Sequence, residues 1–214
     1  MQTESGKCKD CGKRPKAHKK TGCDRCIAIY HRKQNMTEKK AMSTCRELVG
    51  DAYVFASIED IQQPYRDMLE NVDQDVYLFG SVGVGKTYAM AAVIKKLVWS
   101  GHIVKRINFD DFCCKVRASM NSKTKATEYD LINELVACDT LFIDDLGIRS
   151  KAETDFAYVT LYTILNKRQE KLLPTFITTN KSIEQLSESF DIRIASRLSM
   201  STVIEMKGHD RRGK

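Results

Sequence analysis

The chain has 214 residues, 42% hydrophobic and 29% charged, with a formal net charge of +7. That length suits one medium domain with a small appendage, and the apolar fraction can fill a buried core. No run approaches the ~18 consecutive apolar residues of a membrane span, and the polar start Met1 to Lys9 lacks the apolar stretch of a secretion signal. The expectation is a cytoplasmic protein with no membrane partner. The charge is uneven: residues 1–40 hold 12 Lys or Arg against 4 Asp or Glu, and the remainder holds 23 against 24. A basic arm suggests nucleic acid or an acidic partner, with a solvated tail as the plainer reading.

Within that arm, Cys8-x2-Cys11 and Cys23-x2-Cys26 form two short-spaced pairs. Each pair can offer two thiolates from one tight turn, and two such turns complete a tetrahedral zinc site. Gly12 and Gly22 flank the inner cysteines. Disulfides are the rival, but a reducing cytosol keeps thiols free. His18 and His31 could substitute, although four cysteines suffice. Such a metal is structural, because so small a polar segment cannot fold on its own core. Residues 1–45 are therefore expected to be a basic zinc module. Lys7, Lys9, Lys13, Arg14, Lys16, Lys19, Lys20 and Arg25 favour DNA, and docking on another protein is equally open. Cys45, Cys113, Cys114 and Cys138 read as core or surface thiols.

Residues 46–74 read as a helical linker, with a helix start capped by Ser57 and carrying Asp60 in its first turn; Pro64 interrupts or restarts it. Residues 75–214 then alternate apolar runs with helical stretches. The runs are Val76–Phe79, Ile103–Ile107, Thr140–Ile143, Thr175–Thr179 and Val203–Met206. Helices are expected near 85–99, 110–120, 127–137, 152–169 and 182–198. This alternation implies an α/β fold, a mostly parallel sheet flanked by helices.

The first run enters Gly80-Ser81-Val82-Gly83-Val84-Gly85-Lys86-Thr87, which matches G-x-x-x-x-G-K-[ST] at every fixed position. The glycines let the backbone aim several N–H groups at one anion, and the following helix adds its positive end. Lys86 reaches the outer phosphates of a nucleotide and Thr87 ligates magnesium. Leu141-Phe142-Ile143-Asp144-Asp145 is a buried strand ending in paired acids, costly to bury unless a cation meets them. Asp144 is expected to hold magnesium and Asp145 to orient the attacking water. Asn180 ends the next apolar run, where it either faces the γ-phosphate or caps a helix. Arg193 and Arg197, four apart, share a helix face; a planar cation there suits phosphoryl charge, and an idle surface pair is the alternative.

Taken in order, GSVGVGKT, LFIDDLG, TFITTN, RIASRL and STVIEMKGHDRR resemble the DnaC/IstB-like branch of AAA+ ATPases over roughly residues 75–212. The resemblance implies a P-loop ATPase domain that binds ATP and magnesium and self-associates, with its helical lid reduced or absent. It also implies Asn180 as sensor, Arg197 as an arginine finger reaching a neighbouring subunit's ATP, and Arg193 as companion. Loaders of the replicative helicase in this branch carry an N-terminal domain that grips the hexameric helicase, and the cysteine module looks like the zinc-bearing version. Single-stranded DNA in the family runs along the inner face of an ATPase spiral; Lys115, Arg117, Lys123 and Lys125 are the contacts expected here, whereas Phe109 and Phe112 read as core. The function so implied is ATP-dependent helicase loading. Two alternatives stand beside it: a transposition helper that binds target DNA, and a zinc-dependent DNA-binding regulator switched by ATP.

Overall fold

The computed structural model describes residues 7–14, 22–70, 73–121, 127–147, 151–189 and 192–211. Two helices, α1 (Asp24–Gln34) and α2 (Glu38–Val49), precede a 3-10 turn at Ile58–Asp60 and a short α3 (Tyr65–Leu69). Then come β1 (Val76–Phe79), α4 (Lys86–Trp99), β2 (Val104–Asn108), α5 (Phe109–Asn121), α6 (Glu128–Ala137) and β3 (Thr140–Asp144). The chain continues through α7 (Lys151–Glu170), β4 (Thr175–Thr179), α8 (Ile183–Ser189), α9 (Ile192–Leu198) and β5 (Thr202–Glu205).

The strands pair in parallel throughout, in the order β2-β3-β4-β1-β5. Side chains alternate across a strand, so each strand serves both layers. Val76, Leu78, Phe142 and Phe176 join α2 and α4 on one face. Tyr77, Leu141, Ile143 and Ile177 join α5, α6, α7, α8 and α9 on the other. Phe109 and Phe112 are buried in that second layer. Parallel pairing brings the C-terminal ends of β1, β3 and β4 to one edge, where loops can converge on a ligand.

Two local expectations fail. The stretch 182–198 was expected as one helix, but the described residues form two, α8 and α9, which lie against each other. Leu186, Ile194 and Leu198 from the two helices lie in the same core. The helix expected from Ser57 is a single 3-10 turn without a side-chain cap, and the helix restarts after Pro64. The basic arm carries α1 and the start of α2. Thr37 caps α2 by accepting from Lys40 N–H at 3.3 Å, and Ala41, Cys45 and Val49, four apart, are buried. The boundary expected at residue 45 thus falls inside α2, whose inner face lies in the core with α4.

α1 has no buried residue and is held by polar contacts. Arg25 donates to Asp73 Oδ1 at 2.9 Å, its Nε lies 3.5 Å from Asp139 Oδ1, and Arg32 pairs with Asp139 Oδ2. Asp139 also accepts from Ile103 N–H at 2.8 Å, so one carboxylate joins α1 to the start of β2. Beside it Gly101, at φ +84°, packs so closely that a Cβ would come 2.5 Å from Lys33 N and 2.7 Å from Ile29 O. On the opposite layer Arg168 is fully buried, donating to Leu135 O (2.7 Å), Pro174 O (2.8 Å), Thr175 Oγ1 (3.0 Å) and Cys138 O (3.1 Å). Among the described residues no helix is long and apolar enough to cross a membrane.

Candidate functional site

At the C-terminal edge of the sheet the loop Gly80 to Gly85 joins β1 to α4. Gly85 sits at φ +103° as the residue before the first helical turn, a left-handed conformation that favours glycine. Val84 is buried in the core and anchors the loop, while Ser81 and Val82 are exposed above it. The C-terminal segment crosses the same loop. Arg211 N–H donates to Gly83 O at 3.0 Å, and the Asp210 carboxylate fills the space that a side chain on Gly83 would need.

Lys86, in the first turn of α4, is buried. Its ammonium donates to Gly80 O and Ser81 O at 2.8 Å each and to Asn180 Oδ1 at 2.7 Å. Asn180, at the end of β4, is thereby placed across the loop from β1. Asp144 ends β3 with both carboxylate oxygens engaged: Thr178 Oγ1 donates to Oδ1 and Arg106 to Oδ2, each at 2.5 Å. Asp145 follows at φ +53°, an uncommon backbone state for a side-chain-bearing residue. Its N–H donates to Thr178 Oγ1 at 2.9 Å, and its carboxylate is exposed. One hydroxyl thus fixes both acids.

Thr87, Lys86, Asp144, Asp145 and Asn180 all line one cavity of about 760 Å³. That is ample for a nucleotide, given ligand pockets of about 300–1,000 Å³. The Thr87 hydroxyl and Asp144 carboxylate are hard oxygen donors of the kind magnesium prefers. Neither Arg193 nor Arg197 lines this cavity. Arg197 instead lies on α7: it donates to Gln169 Oε1 at 2.9 Å and to Tyr162 Oη at 3.0 Å, with its guanidinium 4.7 Å from the Tyr162 ring centre. Arg193 is exposed one turn earlier.

Sequence reasoning missed several walls of the cavity. Tyr53, Asp60 and Tyr88 close one side. The Tyr88 hydroxyl donates to Asp60 Oδ2 at 2.5 Å, and that bond holds the phenol above its usual pKa. Asn108, at the end of β2, also lines the cavity. The rule that found Asn180 would have found Asn108 too. Arg211 enters from the terminal run.

At the other end of the chain, the Sγ atoms of Cys8, Cys11, Cys23 and Cys26 all lie within 4.8 Å of one another, and Cys11 and Cys23 are 3.9 Å apart. A tetrahedral zinc with Zn–S ≈ 2.3 Å requires sulfurs about 3.8 Å apart, so the cluster fits that ion. Burial pushes the Cys11 thiol up, but the N–H groups of Arg14 and Lys13 outweigh it and lower the thiol to about 6. Burial and the neighbouring Cys23 sulfur push Cys26 up. Four crowded sulfurs cannot all ionise without a cation among them. His18, Lys16, Lys19 and Lys20 lie outside the described residues, as do Lys123 and Lys125; Lys115 is exposed on α5 and Arg117 half-buried.

The chain is similar to known proteins in sequence and in fold. The family described as the bacterial DnaA ATPase domain matches residues 49–205. The replicative helicase loader DnaI of Bacillus subtilis (strain 168) is 27% identical over 172 residues, covering 76% of this chain and 54% of that protein. The replicative helicase loader DnaC of Escherichia coli (strain K12) is 27% identical over 139 residues, covering 63% of this chain and 55% of that protein. The chain spans about half the length of these curated relatives. A structure of the replication initiator DnaA bound to AMPPCP and single-stranded DNA shares the fold, with a TM-score of 0.63 at 20% identity over 72% of this chain and 50% of that one.

Proposed function

Because the chain belongs to the bacterial DnaA ATPase-domain family, we propose that it is an ATP-dependent replication protein that loads a hexameric replicative helicase onto single-stranded DNA. One observation carries the reading: the ammonium of Lys86, the amide of Asn180 and two strand-end acids surround one nucleotide-sized cavity. Names of similar proteins, two of them helicase loaders, supply the biological setting.

In this reading the backbone N–H groups of residues 80–87 and the start of α4 hold the phosphates, and Lys86 turns from the loop carbonyls to the outer ones. Thr87 and Asp144 would hold magnesium, which supplies charge neutralisation between the phosphates when bound. Asp145 positions the attacking water, and Asn180 reports on the γ-phosphate. Arg197, which does not line its own cavity, completes a neighbouring subunit's site, with Arg193 beside it. A lone subunit therefore hydrolyses slowly. The zinc-bearing N-terminal module docks on the helicase through its basic surface, α2 joins it to the ATPase domain, and that domain contacts DNA through Lys115 and Arg117.

Co-purification tests the partner. A tagged full chain is expected to bring down a hexameric helicase, and a chain lacking residues 1–40 is not. Recovery of a transposase instead, with preference for duplex DNA, would overturn the loader reading and favour the transposition helper.

A further inference from the structure

Arg106 has no place in the machinery described so far, yet it holds one of its central groups. It projects from β2, and its guanidinium faces two ways. One nitrogen donates to Asp144 Oδ2 and the other to Leu48 O at 3.0 Å. Leu48 is the next-to-last residue of α2, so its carbonyl has lost its intrahelical partner. A cation there also complements the negative end of the helix. Arg106 is thus at once counter-ion to the buried acid and C-terminal anchor of α2. Just beyond that anchor the chain reaches Tyr53, which lines the nucleotide cavity. In the other direction α2 leads back to α1 and the cysteine cluster.

We propose that Arg106 is a positioning residue that makes the anchoring of α2 depend on the cation held at Asp144. The inference rests on the nucleotide reading above. Without a divalent ion, Arg106 neutralises Asp144 and pins Leu48. With nucleotide bound, Asp144 would help hold magnesium, and a second cation on the same carboxylate would be repelled. The guanidinium withdraws, the end of α2 loosens, and the module carried by α1 and α2 registers the state of the site. A merely structural ion pair would leave α2 indifferent to magnesium.

Arg106→Gln keeps a donor for Leu48 without the charge, and Arg106→Lys keeps the charge on a head too compact to bridge both groups. Two readouts apply to the full chain: magnesium titration of fluorescent ATP-analogue binding, and hydrogen exchange at residues 48–56 with ATP in magnesium or EDTA. In the unmutated chain, magnesium should raise exchange at 48–56. Arg106→Gln should half-saturate at about tenfold lower magnesium, the scale of one neighbouring charge on a carboxylate site, and lose the exchange difference. Arg106→Lys should keep the unmutated chain's magnesium requirement but lose the exchange difference, and it decides the matter if the Gln variant does not fold. Identical magnesium titrations for the folded Gln variant, or exchange at 48–56 unmoved by magnesium in the unmutated chain, would overturn the coupling. Failure of the unmutated chain to bind magnesium-ATP at all would overturn the nucleotide reading itself, a distinct result.

Discussion

Arg197 supports a quantitative forecast, because its surroundings in the free chain are defined. The guanidinium is stacked over Tyr162 and bonded to the Tyr162 hydroxyl and to Gln169, which fixes its direction before any partner arrives. A finger of this type contributes about 10³–10⁵ in rate. Arg197→Ala should therefore bind ATP normally and lose about a thousandfold or more of DNA-stimulated hydrolysis. Tyr162→Phe removes one acceptor worth about 0.5–1.5 kcal/mol and keeps the ring, so its loss should not exceed about tenfold. The decisive assay mixes two inactive proteins, Arg197→Ala and Lys86→Ala. In a head-to-tail assembly, random mixing pairs an intact Lys86 with an intact neighbouring Arg197 at about a quarter of interfaces, and activity should recover to about that fraction. A mixture that stays inactive, or an Arg197→Ala protein with undiminished turnover, would refute an arginine donated between subunits.

Other expectations follow from the same contacts. Gly101→Ala would drive a methyl into the backbone of α1 at a positive φ; it should cost about 2 kcal/mol and lower Tm by about 4–8 °C, read by thermal melting. Arg168→Met removes the guanidinium that donates to the buried carbonyls of Leu135, Cys138 and Pro174 and to Thr175 Oγ1, and urea unfolding should show a loss of about 3–5 kcal/mol. Metal analysis of the full chain should find one zinc, lost with Cys11→Ser, and chelation should disperse the four-cysteine cluster while leaving the sheet's melting transition in place. Asp145→Asn should bind ATP yet stall in one state, whereas a pure switch would function unchanged.

What could be read from the sequence divides along a physical line. The loop through Thr87 and the pair Asp144–Asp145 were legible because their chemistry is packed into contiguous residues, each behind an apolar run that could only be a strand. Arg106, Tyr53 and Asp60 were not, because only the parallel sheet brings β2 and the segment after α2 to the ends of β1 and β3. α1 and α2 were hidden by composition: the inner stripe Ala41, Cys45, Val49 is small and sits among charged residues, so the segment read as a zinc module without named helices. The stretch 182–198 contains neither glycine nor proline and keeps apolar Leu186, Ile194 and Leu198 at one-face helical spacing, so nothing in it signalled the division into α8 and α9.

The whole account turns on occupancy of the cavity beneath Gly80–Thr87, and calorimetric titration of the full chain with ATP tests this most directly. The expected result is one nucleotide per chain in magnesium, with binding abolished by Lys86→Ala and weakened by EDTA. Absence of heat and of protection at residues 80–90, with and without single-stranded DNA, would contradict it.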